Sequence, residues 1–166
     1  MRTIKVTLRR NAMTYDCAVS ITEGLSDAEL AMSWLHDSEK QQISRFTADS
    51  PKQSYVLGRL AAKSAILNIS RDHNPRQIYI QNGGFSQPII INNCSNLGVS
   101  ISHTKHYGVA IAFPESYPSA IDIQEPIDNS SSRHFLFHEV VTSAEMALLN
   151  RKEVDDPMLR AWSAKE

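Results

Sequence analysis

SPKQSYVLGRLAAKSAILNI, Ser50–Ile69, is the stretch on which the fold turns. Ser50 stands as a capping residue, Pro51 takes the first helical position, and Gln53 completes an S-x-x-Q capping box. From Tyr55 to Ile69 apolar residues recur at three- and four-residue steps, Leu57, Leu60 and Ala61 among them, so the stretch reads as a long amphipathic helix. Arg59 and Lys63, four apart, share another face and read as solvated, the ordinary place of a basic pair on a helix. An earlier helix is predicted over SDAELAMSWLHDSEKQQISRF, Ser26–Phe46, capped by Ser26 and carrying Leu30, Trp34 and Leu35 in its apolar stripe.

After the long helix the chain changes character. Short extended runs follow: QIYIQ (77–81), PIIIN (88–92), GVSIS (98–102), GVAIAF (108–113) and AIDIQ (120–124), separated by turn-forming segments rich in Gly, Asn and Pro. Helices come first and strands follow, an order that predicts an α+β fold with helices packed on a mostly antiparallel sheet, not alternating βαβ crossovers. His134–Asn150 reads as helical until RKEVDDP breaks it. A last helix begins at DDPMLRAW, with Asp155 or Asp156 as cap and Pro157 at its first position. It turns Trp162 inward and sets Glu166 about one turn further along the same side.

With 166 residues, 42% of them apolar, and a formal net charge of -1, the chain has the makeup of a soluble globular protein with one domain or two small ones. A pI near 6.6 gives no bulk electrostatic attraction to nucleic acid or to an anionic membrane, so any anion site must be built from a local cluster. MRTIKVTLRRNAM at the N-terminus has basic residues but no apolar core of a signal peptide, and no stretch has the length to span a bilayer. Cys17 and Cys94 lie far apart without metal-ligand spacing and read as reduced thiols of a cytoplasmic protein.

Three stretches carry candidate chemistry. In VSISHT, Val99–Thr104, Ser102 and His103 end a strand and enter a turn, where side chains and amides are offered to a ligand. They are no hydrolase dyad: strand neighbours point to opposite faces, and no G-x-S-x-G elbow accompanies them. In AIDIQE, Ala120–Glu125, Asp122 and Gln124 alternate with Ile121 and Ile123, so a carboxylate and an amide share one face, either as a solvent-facing strand edge or as oxygen ligands for a hard cation. WSAKE, Trp162–Glu166, is by itself an amphipathic helix.

Taken in this order, the three stretches resemble the motifs of the 4'-phosphopantetheinyl transferase superfamily, of its larger, surfactin-synthetase-activating type. Those motifs run as an aromatic-G-K-P turn, an N-x-S-H-S strand, a G-x-D-x-E strand and a W-[ST]-x-K-E helix. FSQP at Phe85–Pro88 stands at the first, SISHT at Ser100–Thr104 at the second, AIDIQ at the third, and WSAKE fits the fourth unchanged. EKQQISRF and YVLGRLAAKSAI resemble the family's basic segment and the helix after it, and FLFHEVVTSAE, Phe135–Glu145, resembles the segment before the last motif.

The resemblance implies a fold of two similar α+β halves with the active site between them, residues 1–117 making the first and residues 118–166 only the beginning of the second. It implies transfer of the 4'-phosphopantetheine arm of coenzyme A to a serine of an acyl or peptidyl carrier protein, with Mg²⁺ as cofactor and 3',5'-adenosine diphosphate released. On the matched positions Asp122 and Glu166 are catalytic and, with Gln124, hold the metal, while Glu166 also orients or deprotonates the incoming serine. Ser102, His103 and Lys165 contact the phosphates of coenzyme A, Gln87 and Pro88 form the nucleotide turn, and Lys40, Arg45 and Lys52 take the 3'-phosphate ahead of Arg59.

Four positions depart from the pattern. Gln124 replaces a carboxylate, Gln87 replaces the turn lysine, Ser54 stands where an arginine is common, and Ser100 replaces asparagine. The family also continues past W-[ST]-x-K-E, so the resemblance predicts a truncated second half that transfers slowly, self-associates or needs a complementing chain. Two other readings stay open. One is a catalytically impaired module that binds coenzyme A or a carrier protein. The other is a zinc protein built on His134 and His138 beside Glu139, although HFLFHE lacks the H-E-x-x-H order.

Overall fold

The computed structural model describes residues 1–25, 28–70, 74–91, 96–125 and 141–149. The chain divides into two compact units, Met1–Ile123 and Gln124–Glu166. In the first, a four-stranded antiparallel sheet runs in the order β1-β2-β6-β5, made of β1 (Arg2–Arg10), β2 (Met13–Glu23), β5 (Leu97–His103) and β6 (Tyr107–Pro114). A separate two-stranded ribbon pairs β3 (Tyr79–Asn82) with β4 (Pro88–Ile91). Three helices, α1 (Ala28–Trp34), α2 (Asp37–Ile43) and α3 (Asp49–Ile69), come between the first hairpin and the ribbon. In the second unit, α4 (Ser143–Leu149) is opened by Thr142, whose Oγ1 accepts from the Glu145 amide at 3.3 Å while the Glu145 carboxylate accepts from the Thr142 amide at 2.8 Å.

The mixed α+β class and the antiparallel sheet agree with the sequence reading, but the element order does not. A hairpin precedes the helices: Ile4, Val6 and Leu8 alternate along β1, and the β1–β2 turn carries Asn11 at φ 55°, a left-handed conformation that asparagine tolerates. The first predicted helix is two. His36 breaks it by capping α2, its Nδ1 accepting from the Ser38 amide at 3.1 Å while the Glu39 carboxylate accepts from the His36 amide at 2.9 Å. AIDIQ is not a strand, and it has no ladder partner among the described residues.

α3 is the centre of the unit. It begins at Asp49 after Ala48, which makes no side-chain cap, so Ser50 and Pro51 lie inside the first turn and the expected Ser50 capping box is absent. Pro51 is tolerated there because the first amides of a helix have no carbonyl partner to lose. One face of α3, with Ala61, Ala62, Ala65 and Ile66, packs on Ala18, Val99, Ala110 and Ala112 of the sheet. Val56 and Leu60 pack with Ala31, Leu35 and Ile43 of the α1–α2 layer. Small residues on both sides of the helix–sheet contact let the backbones approach closely. At Gly108 a Cβ would fall within the backbone of Leu57 and Gly58.

Arg59 and Lys63 are the largest departure from the sequence reading. They are not solvated: Arg59 is 6% exposed and Lys63 fully buried. The reason is Glu39 of α2, also fully buried, whose Oε2 lies 2.8 Å from Lys63 Nζ and whose Oε1 lies 3.8 Å from Arg59 Nε. Lys63 also donates to the Pro75 and Ile78 carbonyls, so all three of its protons are used. Burial pulls its ammonium below the usual lysine range, and the Glu39 carboxylate pulls it back.

Two stability outcomes are expected. Glu39→Ala leaves two cations buried without their anion and should cost about 3–5 kcal/mol in a urea melt, whereas breaking the exposed ion pair of Lys5 and Asp16 should leave the melt close to wild type. Gly108→Ala should cost about 3 kcal/mol or more, because backbone and not a flexible side chain stands in the way. A wild-type-like melt for either variant would refute the corresponding packing argument.

Candidate functional site

β5 ends on Ser102 and His103, and the two side chains leave opposite faces of the sheet. On one face Ser100 and Ser102, two residues apart, each accept a backbone amide from the segment after Tyr117: Ile121 at 3.3 Å and Ile123 at 3.2 Å. The segment therefore follows β5 at strand spacing, but it is held by side-chain hydroxyls instead of backbone carbonyls. Ile121 secures it by packing on the cluster of Cys17, Ile111 and Phe113. Between the two anchored amides projects Asp122, exposed, its Oδ1 accepting the Ser102 hydroxyl at 2.7 Å.

Ser102 thus accepts from Ile123 and donates to Asp122. A hydroxyl has one proton, so this arrangement fixes its direction toward Asp122 Oδ1. The second carboxylate oxygen has no partner among the described residues and remains available to a cation or donor. Asp122 is the member of the expected metal set that the first unit supplies. Gln124 begins the second unit and is half-buried, and Glu166 lies outside the described residues, as does Lys165. Among the described residues no three His, Cys, Asp or Glu side chains converge. One carboxylate oxygen is a ligand that a Mg²⁺ can use, since that ion binds through one or two carboxylates and keeps waters elsewhere.

His103, exposed on the other face, lies against α3 where Gly58 leaves room: a Cβ there would stand 3.4 Å from His103 Cδ2 and 3.0 Å from Ile101 Cγ2. The turn beyond it is tied down. Thr104 Oγ1 accepts from the His106 and Tyr107 amides, and the Thr104 carbonyl accepts from Ser54 Oγ at 3.1 Å. Ser54, which replaces a common arginine, therefore serves to join α3 to this turn.

Lys40 and Lys52 are brought together along an open groove of about 580 Å³ between α1, α2 and the start of α3, floored by Met32, Ile43 and Val56. Lys40 is held 3.2 Å from Asp37 Oδ1. Arg45 is exposed and takes no part in the lining, and neither do Ser102, His103 and Asp122. At the ribbon turn Gln87 Oε1 accepts from the Phe85 amide at 2.9 Å, its carbonyl accepts from Gly83 at 2.7 Å, and Pro88 opens β4. The Gln87 side chain folds over Gly83, where a Cβ would meet it at 2.7 Å. His134, His138 and Glu139, the alternative zinc set, lie outside the described residues.

Sequence reasoning missed Ser100 and Glu39. The two serines of VSIS stand two apart on one face, a signal that was present. Glu39 gave none, because its partners lie 20 and 24 residues further on and on another helix.

No protein-family model matches the chain, and no curated protein matches it. Among solved structures, a holo-(acyl-carrier-protein) synthase from Bacillus anthracis str. Ames, in complex with CoA (3',5'-ADP), is similar at 24% identity and a TM-score of 0.48, over 58% of this chain and 93% of that one. An acyl carrier protein synthase from Mycobacterium tuberculosis is similar at 17% identity and a TM-score of 0.41, over 57% of this chain and 93% of that one.

Removing the Ser102 hydroxyl should loosen the segment that carries Asp122. In Ser102→Ala the amide of Ile123, which loses its acceptor, should exchange with deuterium at least about tenfold faster, while β2 and β6 amides keep their protection. Unchanged exchange at Ile123 would show that the hydroxyl does not hold the segment.

Proposed function

We propose that this chain is a 4'-phosphopantetheinyl transferase, moving the 4'-phosphopantetheine arm of coenzyme A to a serine of an acyl or peptidyl carrier protein. The observation that carries the reading is the 2.7 Å hydrogen bond from Ser102 to Asp122 Oδ1, which joins two motifs 20 residues apart that the sequence resemblance selected independently. In the reaction the serine oxygen bonds to the phosphorus of the phosphopantetheine phosphate and the pyrophosphate P–O bond breaks. The serine proton passes to a base, and 3',5'-adenosine diphosphate leaves with the bonding pair.

The residues divide the work by chemistry. Ser102 holds Asp122 in one orientation through the hydroxyl that Oδ1 accepts. Mg²⁺, when bound, neutralises charge on the pyrophosphate, and Asp122, with Glu166 and Gln124 by resemblance, is assigned to hold it. His103 is assigned a charge-assisted bond to a coenzyme A phosphate, Lys165 the pyrophosphate, and Lys40 and Lys52 the 3'-phosphate from the groove they share. Glu166 is assigned as the group that orients or deprotonates the serine. The surfactin-synthetase-activating type and the cytoplasmic setting remain part of the same proposal.

A second reading, a binding module with impaired catalysis, is favoured by Gln87. It brings no cation to the turn and spends its amide oxygen on the Phe85 amide. Mass spectrometry of a carrier protein incubated with the chain, coenzyme A and Mg²⁺ separates the two: the transferase reading expects modified carrier, and the binding module expects none.

Coenzyme A should bind more tightly with Mg²⁺ than with chelator, and Asp122→Ala should abolish the difference; equal affinity with and without Mg²⁺ in the wild type would sink the metal assignment. His103→Ala should weaken coenzyme A about tenfold or more, with carrier-protein affinity unchanged.

A further inference from the structure

The ribbon β3–β4 belongs to no larger sheet, and its turn carries the candidate nucleotide contacts Gln87 and Pro88. Its root is held by charge. Glu39 Oε1 accepts from the Ile80 amide at 3.2 Å, Lys63 donates to the Pro75 and Ile78 carbonyls, and Tyr79 stacks on His36 at a centroid distance of 5.0 Å. The outermost tie is Arg59, whose Nη2 donates to Asn82 Oδ1 at 3.1 Å. Asn82 is the β3 partner of Pro88, so it closes the turn that runs through Gly83, Phe85, Ser86 and Gln87.

Arg59 reaches the turn from inside the buried cluster. It is 6% exposed, and its guanidinium lies 4.6 Å above the Tyr55 ring centroid. Its Nε makes no hydrogen bond, so charge balance with Glu39 does not account for where its outer nitrogen points. The planar fork, fixed by the ring below it, sends Nη2 past the buried cluster to an exposed side chain at the base of the turn. The turn itself is short of anchors: Phe85 is 94% exposed, Ser86 sits at φ 63°, and the bonds of Gly83, Phe85 and Ser86 are all internal to it.

We infer that Arg59 and Asn82 are positioning residues for coenzyme A. Through the Asn82–Pro88 pair they fix the angle at which the 83–87 turn meets the nucleotide, without touching it. The inference rests on the functional reading above for the identity of the ligand, and on the structure alone for the control of the turn.

The test uses the exposed partner, so that folding is spared, on the full 166-residue chain. Asn82→Ala removes the acceptor, and Asn82→Asp keeps an acceptor in place and adds a charge that the guanidinium favours. In Asn82→Ala the amides of Gly83 and Ser86 should exchange at least about tenfold faster, and coenzyme A affinity by calorimetry should fall about five- to tenfold. Asn82→Asp should restore both to within about twofold, with the thermal midpoint of both variants within about 3 °C of wild type. Unchanged turn exchange in Asn82→Ala, or failure of Asn82→Asp to restore it, overturns the control of the turn. Faster exchange with unchanged coenzyme A affinity overturns the link to the ligand. A wild-type chain that binds no coenzyme A overturns the functional reading instead, and the exchange data still decide whether Arg59 sets the turn.

Discussion

One buried carboxylate organises half of the molecule. Glu39 sits between Arg59 and Lys63, and its two oxygens also accept the amides of His36 and Ile80. A buried ion pair is weak support for stability, since the cost of removing charges from water approaches what their attraction returns. Its consequence is specificity. The carboxylate must meet a helix start, two side chains of α3 and a strand amide together, and few arrangements of α2, α3 and β3 satisfy all of them. The break between α1 and α2 follows from this, because the His36 amide can be bonded by Glu39 only if α2 starts at that point.

The second constraint is the narrow gap between α3 and the sheet. Alanines at positions 18, 61, 62, 65, 110 and 112 are all fully buried, and glycines at 58 and 108 remove the remaining side chains where helix and strands come nearest. A gap this thin holds the end of β5 at a fixed height on α3. It sets His103 on the helix side and leaves Ser102 on the opposite side, facing Asp122. The candidate site therefore straddles the end of a rigid strand, and its precision comes from packing with few side-chain degrees of freedom.

The parts of this fold that the sequence showed are those whose signal is local. The 21-residue α3 carries its own periodicity, and the runs around Tyr79, Pro88, Val99 and Val109 are apolar segments bounded by turns. The β1–β2 hairpin carries a period-two signal at Ile4, Val6 and Leu8, but the intervening Thr, Lys and Arg give it the look of a basic leader. The burial of Arg59 and Lys63 was illegible because it depends on a partner in another helix. Buried apolar and small residues on every side of α3 were the available hint, since such a helix has no face left for water. The setting of Asp122 was misread: the Ile–Asp–Ile alternation suits a strand, yet the partner it meets is a row of serines.

That difference matters for how the acid is held. A carboxylate on a paired strand inherits its position from the backbone ladder on both sides. Asp122 is held by two amide-to-hydroxyl bonds and by the hydroxyl it accepts, so the bond that positions its segment and the bond that orients its oxygen pass through the same atom, Ser102 Oγ. The single hydroxyl proton is committed to Asp122 Oδ1, so that bond also fixes the direction of the lone pair that accepts the Ile123 amide. The orientation of the acid and the order of the segment are thus coupled, and a ligand bound to the oriented carboxylate favours the ordered segment by the same linkage that makes any ligand of one state stabilise it.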